Sequence, residues 1–249
     1  MTEQNKIPYP LLVTDCSCPG ARVGILAETG WLAYKNKAGE TGAVLFEAVK
    51  EVLSETGLSL GQLAGFVYCE GPGSTLGIRI NAMALRTWIS LEDQPPLLFA
   101  FKSLEAAACL IRETESKEDA FAVFSDYRKE SWNGCRSDQS GHFSPIEIID
   151  LKSLESWQQD QYFVQQRIHS PGQPPKSKSL NYDLEPLGTS PRFIQIMEPR
   201  EQPGVFQTTT PTFKKWVPER HRYVNDFLPS ISYPLLGRDR PGGSGTKSL

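Results

Sequence analysis

The sequence predicts an α/β fold, a mixed sheet with helices on its faces. Two features of its pattern carry this. Three strand-like runs precede the first helical pattern, and from there to Asp126 helices and strands alternate, in the order βββαβαβαβ. In addition, 39% of the 249 residues are hydrophobic, enough to bury a sizeable core.

The elements follow in order. "LLVTD" (Leu11–Asp15) is an apolar run ending on an acid and reads as a strand. "ARVGILA" and "GWLAYKN", with the turn "ETG" between them, read as a hairpin over Ala21–Ala27 and Gly30–Asn36. Thr41–Thr56 has a helical pattern, with Gly57 as its stop. "LSLGQLA" is a short connector or helix with Ser59 as candidate cap. A strand over Gly65–Cys69, the glycine turn "GPGS" and a helix to about Ser90 come next. "PLLFAF" (Pro96–Phe101) is a strand, "SLEAAACLIRE" a helix over Ser103–Glu113 with Ser103 as N-cap, and "AFAVFSD" (Ala120–Asp126) a strand.

Beyond Tyr127 the pattern weakens. "SWNGCRS" and "PIEIID" are candidate strands, "LESWQQDQYFVQQ" is a candidate helix, and "SPGQPPKSKS" (Ser170–Ser179) forms a loop. Most of the 19 prolines fall in this half, no internal repeat is evident, and the tail "GRDRPGGSGTKSL" reads as disordered. A first subdomain is expected at residues 9–113, a smaller irregular one at 118–235, and a disordered tail at 236–249.

Composition narrows the function classes. A net charge of −3 supplies no strongly basic surface and argues against direct nucleic-acid binding. Five cysteines, an odd number, and an N-terminus "MTEQNKIPYP" without an apolar secretory core point to reduced thiols and a cytoplasmic location. The apolar runs fall far short of the ~20 residues of a membrane helix, so no membrane role is expected. The histidines at 142, 169 and 221 are scattered without ligand spacing, which disfavours a metal site. There is no G-x-S-x-G elbow, so no catalytic residue is assigned.

Two helices are too apolar for a plain surface position. Leu45, Phe46, Ala48, Val49, Val52 and Leu53 cover about half the first helix. The second is apolar almost all round, including Leu76, Met83 and Trp88, with Arg79 and Arg86 sharing one polar edge. A face against the sheet and a second against a partner protein would account for this, as would a central core helix. The glycine turn is equally two-sided. Gly71 and Gly73 let a ligand approach the backbone and Ser74 caps the helix, which suits a phosphate cradle. The turn lacks the lysine and spacing of a P-loop, so a simple turn and cap fits too. "TDCSCPGARVGI" places Asp15 at a strand end and Ser17 in a hairpin turn, where a phosphate or an ordinary β-turn both fit. Asp126 ends another strand in "SDYRKE".

The arrangement of these pieces resembles the TsaB (YeaZ) family. "LLVTDCSCPGARVGIL", the helix, and then "GLSLGQLAGFVYCEGPGSTLGIRINAMALRTW" match its order of motifs, and "FSDYRKESWNG" resembles its Asp-Ala-Arg segment; the likeness covers about residues 10–135. It implies the fold of the actin, Hsp70 and sugar-kinase (ASKHA) superfamily. It also implies a non-catalytic partner of a TsaD-like subunit, joined by a TsaE-like ATPase. The complex installs threonylcarbamoyl on adenosine beside the anticodon of tRNA, so tRNA is met only through the complex.

The family dimerises through the two helices, which implies an interface at Leu45, Val49, Val52, Leu53, Arg79, Met83 and Arg86, with a homodimer in isolation. Asp15, Ser17, Gly71, Gly73 and Ser74 then lie near any phosphate, with no cofactor bound tightly and ATP or ADP at the partner interface. The departures are Cys16, Thr75-Leu76, Asn81 and Glu70 at positions where the family has Thr, Phe-Thr, Gly and an Arg or similar residue. An acid at position 70 would repel a phosphate. The turn is therefore expected to launch an interface helix more than to bind nucleotide. A small-molecule kinase or ATPase of the same superfold, with Asp15 and Asp126 near the phosphates, is the alternative.

Overall fold

A computed structural model describes residues 7–94, 96–170, 172–206 and 208. The expected tail at 236–249 lies outside them, as does most of the chain after residue 206. The described residues form one compact unit.

The first sheet begins as expected. Strands β1 (Leu11–Asp15), β2 (Ala21–Ala27) and β3 (Gly30–Lys37) pair antiparallel. β4 (Gly65–Gly71) and β5 (Leu97–Lys102) then add in parallel beside β1. Parallel pairing needs crossovers, and two 16-residue helices supply them: α1 (Thr41–Thr56) and α2 (Thr75–Ser90). Gly57 stops α1 in the left-handed conformation at φ 67°. Ser74 caps α2, its hydroxyl accepting from the Gly77 N–H at 3.3 Å. Both helices pack on one face of the sheet, over Leu12, Val23, Ile25, Phe66 and Tyr68.

Helix α3 (Ser103–Glu115) is buried on nearly every side. Here the expected cap is corrected: Lys102 is the N-cap and Ser103 the first helical residue. Ser103 is occupied elsewhere, its hydroxyl donating to the Pro72 carbonyl at 2.6 Å and accepting from Gln166 Nε2 at 2.8 Å.

The second sheet contains β6 (Phe121–Arg128), β7 (Ser131–Ser137), β8 (Glu147–Asp150), β9 (Asp160–Val164) and β10 (Lys178–Ser179). "LESWQQDQYFVQQ" is not a helix. A short helix, α4 (Leu151–Leu154), ends on its first residue, and its second half contains β9, parallel to β6. Tyr162, Phe163 and Val164 are all buried there, and aromatic and β-branched side chains suit a strand between neighbours.

The absence of a repeat is corrected as well. The strand order β5-β4-β1-β2-β3 in the first sheet recurs as β10-β9-β6-β7-β8 in the second, with the same parallel and antiparallel pairings. The helix between the hairpin and the next parallel strand has shrunk from 16 residues in α1 to 4 in α4. After the short helix α5 (Pro191–Gln195), strand β11 (Glu198–Pro199) returns to the first sheet, antiparallel to β5. One core joins the sheets: Val13, Val67 and Phe101 from the first, Phe121, Val123 and Tyr162 from the second, and α3 between them.

Candidate functional site

The duplicated topology puts two acids in equivalent places, Asp15 at the end of β1 and Asp126 near the end of β6. Both are buried and fully engaged. Asp15 accepts from the Ser17 N–H at 2.6 Å and from the Tyr182 hydroxyl at 2.6 Å. Asp126 accepts from the backbone N–H groups of Gln166 and Arg167, at 2.6 and 3.0 Å, and from the Ser170 hydroxyl. A kinase or ATPase would need such carboxylates facing a metal or a nucleophile. Here they hold loops together. Among the described residues no group of three or more His, Cys, Asp or Glu side chains is gathered as metal ligands.

The glycine turn and the first hairpin lock against each other. The Ser74 N–H donates to the Ser17 carbonyl at 2.7 Å. A Cβ on Gly73 would lie 2.4 Å from that same oxygen, and one on Gly77 2.3 Å from the Cys16 carbonyl. The glycines therefore serve close backbone packing. Gly71 and Gly73 do hold positive φ, at 119° and 158°. Asn81 is also used internally, its Nδ2 donating to the Thr14 carbonyl at 3.3 Å. Asp15, Ser17, Gly71, Gly73 and Ser74 thus do come together, as one packed junction.

Glu70 is 7% exposed. A buried carboxylate requires a cation, and Arg200 supplies it in two-pronged form: Nε to Oε2 at 3.0 Å and Nη2 to Oε1 at 2.8 Å. These bonds hold the Arg200 guanidinium above its ordinary pKa. The charge that would repel a phosphate is neutralised inside the chain. The anomaly was visible in the sequence, but no local signal pointed to a partner 130 residues away. These residues do not fit a nucleotide phosphate: the acids are satisfied, the turn has no lysine, and its neighbouring acid is paired.

The helix faces divide differently from the sequence expectation. Leu45, Val49 and Val52 are buried against the sheet and Leu53 is half-buried, so the first three have no outward surface. Arg79, Met83 and Arg86 are exposed. Arg86 is nevertheless engaged, with Nε and Nη2 both donating to the Pro203 carbonyl, at 3.1 and 2.8 Å. The uncovered apolar side chains are Phe46 at 50% exposure, Leu76 at 68% and Met83 at 57%. Phe46, Arg79, Ile80, Met83, Ala84 and Thr87 line a shallow groove of about 350 Å³ between α1 and α2. A second cleft of about 390 Å³ shares Ile80 and opens between Gly20, Thr41, Ser74, Leu76 and Arg167. Leu76, which carries this surface to the second cleft, lay among the apolar residues of the sequence reading without being singled out for the interface.

No family description and no curated protein sequence matches this chain. Solved structures do. YeaZ from Pseudomonas aeruginosa matches with a TM-score of 0.62 and 18% identity, over 80% of this chain and 100% of that one. A protein from Pseudomonas aeruginosa described as uncharacterized with similarity to peptidase YeaZ matches with a TM-score of 0.57 and 19% identity, over 72% of this chain and 88% of its own. The two-sheet α/β arrangement, with α1 and α2 on one face of the first sheet, is the fold of YeaZ.

Proposed function

We propose that this chain is a TsaB-type scaffold: a subunit without its own active site that docks a TsaD-like catalytic subunit through the outer face of α1 and α2. The observation that carries the reading is the uncovered apolar face of Phe46, Leu76 and Met83 beside the Arg79 guanidinium. Exposed apolar surface rimmed by polar groups marks interaction sites. The YeaZ fold and the sequence resemblance support a TsaD-like partner for this face. In this reading tRNA threonylcarbamoylation belongs to the complex, a TsaE-like ATPase joins it, and tRNA is bound elsewhere in the assembly.

ATP or ADP, where the assembly uses it, sits at the partner interface, with the cleft beside Gly20, Thr41 and Ser74 facing it. Without the partner, a second copy of the chain takes the same face. Five free thiols support a reducing, cytoplasmic setting. No helix among the described residues is long and apolar enough to cross a membrane.

The test is Met83→Asp, mixed with the TsaD-like protein of the same organism and followed by size-exclusion with light scattering. A buried charge without a partner is costly at an interface, so the wild type should co-elute as a heterodimer and the variant as separate monomers. Unchanged co-elution of the variant would sink the proposal.

A further inference from the structure

A cleft of about 760 Å³ opens where β9 begins, between α4 and the turn at Pro174–Ser177. That volume is in the range of small-ligand sites. Leu151, Leu154, Trp157 and Pro175 give it an apolar lining, with Leu151 47% exposed. None of its lining residues belongs to α1, α2 or the glycine turn.

Two observations mark this cleft as built for a ligand. First, the side-chain oxygens of Gln159 and Gln161 are shielded from water and accept no hydrogen bond among the described residues. A shielded acceptor without a donor is costly. Turning the Gln161 amide over does not help, because its Nε2 already donates to the Trp157 carbonyl at 2.6 Å. Both side chains are half-buried on the cleft wall, and the last torsion of a glutamine is soft. A small swing of each amide therefore offers its oxygen to a donor in the cleft.

Second, Lys176 stands in the left-handed region at φ 71°, which residues with long side chains rarely adopt. The turn holds it there: the Ser177 N–H and hydroxyl both donate to the Pro174 carbonyl, at 3.2 and 2.7 Å. Backbone strain of this kind concentrates at ligand clamps. Lys176 and Lys178 are exposed, and neither is within ion-pair distance of a carboxylate among the described residues. Asp160 is matched by Lys117 at 2.6 Å. Against Glu155 alone, the two lysines leave the lining with one net positive charge.

We propose that this cleft binds the carboxyl-terminal end of a peptide. The free carboxylate sits between Lys176 and Lys178, the last side chain lies on Leu151, Leu154 and Pro175, and backbone N–H groups of the peptide reach the Gln159 and Gln161 oxygens. A nucleotide strand fits less well. It needs an aromatic face for its bases, and Trp157 is 3% exposed, its ring covered by Phe124 at 5.1 Å and by the Arg136 guanidinium at 3.7 Å. One net positive charge also suits a single carboxylate better than a run of phosphates. This inference rests on no part of the docking reading for α1 and α2, so each can fail alone.

The test is heteronuclear NMR titration of the full-length chain with acetylated tetrapeptides ending in Leu, Val, Ile or Phe, as free acids and as carboxyl-terminal amides. At least one free acid should saturably shift the side-chain amides of Gln159 and Gln161 and the backbone amide of Lys176. Its amide form should bind about tenfold more weakly, the loss expected for one charge-assisted contact. The double variant Lys176→Ala, Lys178→Ala should lose affinity for the free acid by a similar factor and bind the amide as the wild type does. Both lysines are exposed, so the variant should fold; if it does not, the acid and amide comparison on the wild type decides alone. No shift at these residues with any free acid overturns the proposal, as does equal binding of acid and amide. So does a uridylate tetramer that shifts the same amides at lower concentration than the peptides, which would assign the cleft to nucleic acid.

Discussion

Each of the five cysteines is a free, buried thiol. Burial pushes Cys18 and Cys109 up to about 12, and raises Cys16, Cys69 and Cys135 as well. A raised folded-state pKa contributes stability that is present below the unfolded thiol value of about 8.5 and is lost as pH rises beyond it. The melting temperature should therefore be flat across pH 7–8 and fall steadily above about pH 8.5. Iodoacetamide at pH 8 should leave the native chain unlabelled and modify all five cysteines in urea. Rapid labelling of the native protein would contradict the buried placement of Cys16, Cys18 and Cys69 around Asp15. The same residue-level logic explains Glu70, whose burial is tolerated because Arg200 meets it with two hydrogen bonds.

Helix α2 packs on two neighbours and leaves a third side exposed. Its buried side, through Ala84, Leu85 and Trp88, packs on the sheet, its first turn meets the hairpin, and Met83 and Arg79 stay outside. Gly77 shows what the first turn requires. In an ordinary helix interior, Gly→Ala stabilises by about 1 kcal/mol. At Gly77 the new Cβ would meet the Cys16 carbonyl at 2.3 Å, and backbone cannot swing aside as a flexible side chain can. Gly77→Ala should destabilise by about 1–3 kcal/mol, read by urea denaturation. A stabilised variant would mean that α2 does not sit on the hairpin as described. Helix α1 is simpler: Lys35 and Lys37 of β3 reach Glu47, Glu51 and Glu55 on its polar side, at 2.6–3.0 Å, while Leu45, Ala48 and Val52 lie beneath. Surface pairs of this kind contribute little, so packing holds the helix.

For the whole described unit, the shared core is the deciding feature. Phe101 and Phe121 belong to different sheets, yet both pack in the cluster that encloses α3. A single core of this kind unfolds as one. Circular dichroism and tryptophan fluorescence should therefore report one coincident urea transition. Trp31 and Trp88 report on the first sheet, and Trp132 and Trp157 on the second. Two separated transitions would show that the sheets are energetically independent in spite of α3. The duplicated strand order gives the molecule two equivalent loop junctions, at Asp15 and Asp126, and both are closed by internal hydrogen bonds. The outer face of α1 and α2, by contrast, stays open.

By itself, the sequence determined the first sheet and its helices, because their signals are local. A 3.6-residue apolar period, the Gly57 stop, the Ser74 cap and the alternation of strand and helix act within a few residues of one another. It also flagged Glu70, the glycine turn and the excess apolar surface of α1 and α2 as unusual. The tertiary structure alone decided how each was resolved. Leu45 and Phe46 are adjacent and both apolar, yet one is buried on the sheet and the other left out, because a helix covers the core with only one side. The second half hid its repeat because α4 kept only 4 residues of the crossover helix, and β9 took its strand form from pairing with β6. Arg200 carries no local pattern that announces its pairing with Glu70. That role arises from a contact across 130 residues of chain, which packing selects and which leaves no periodic trace in the sequence.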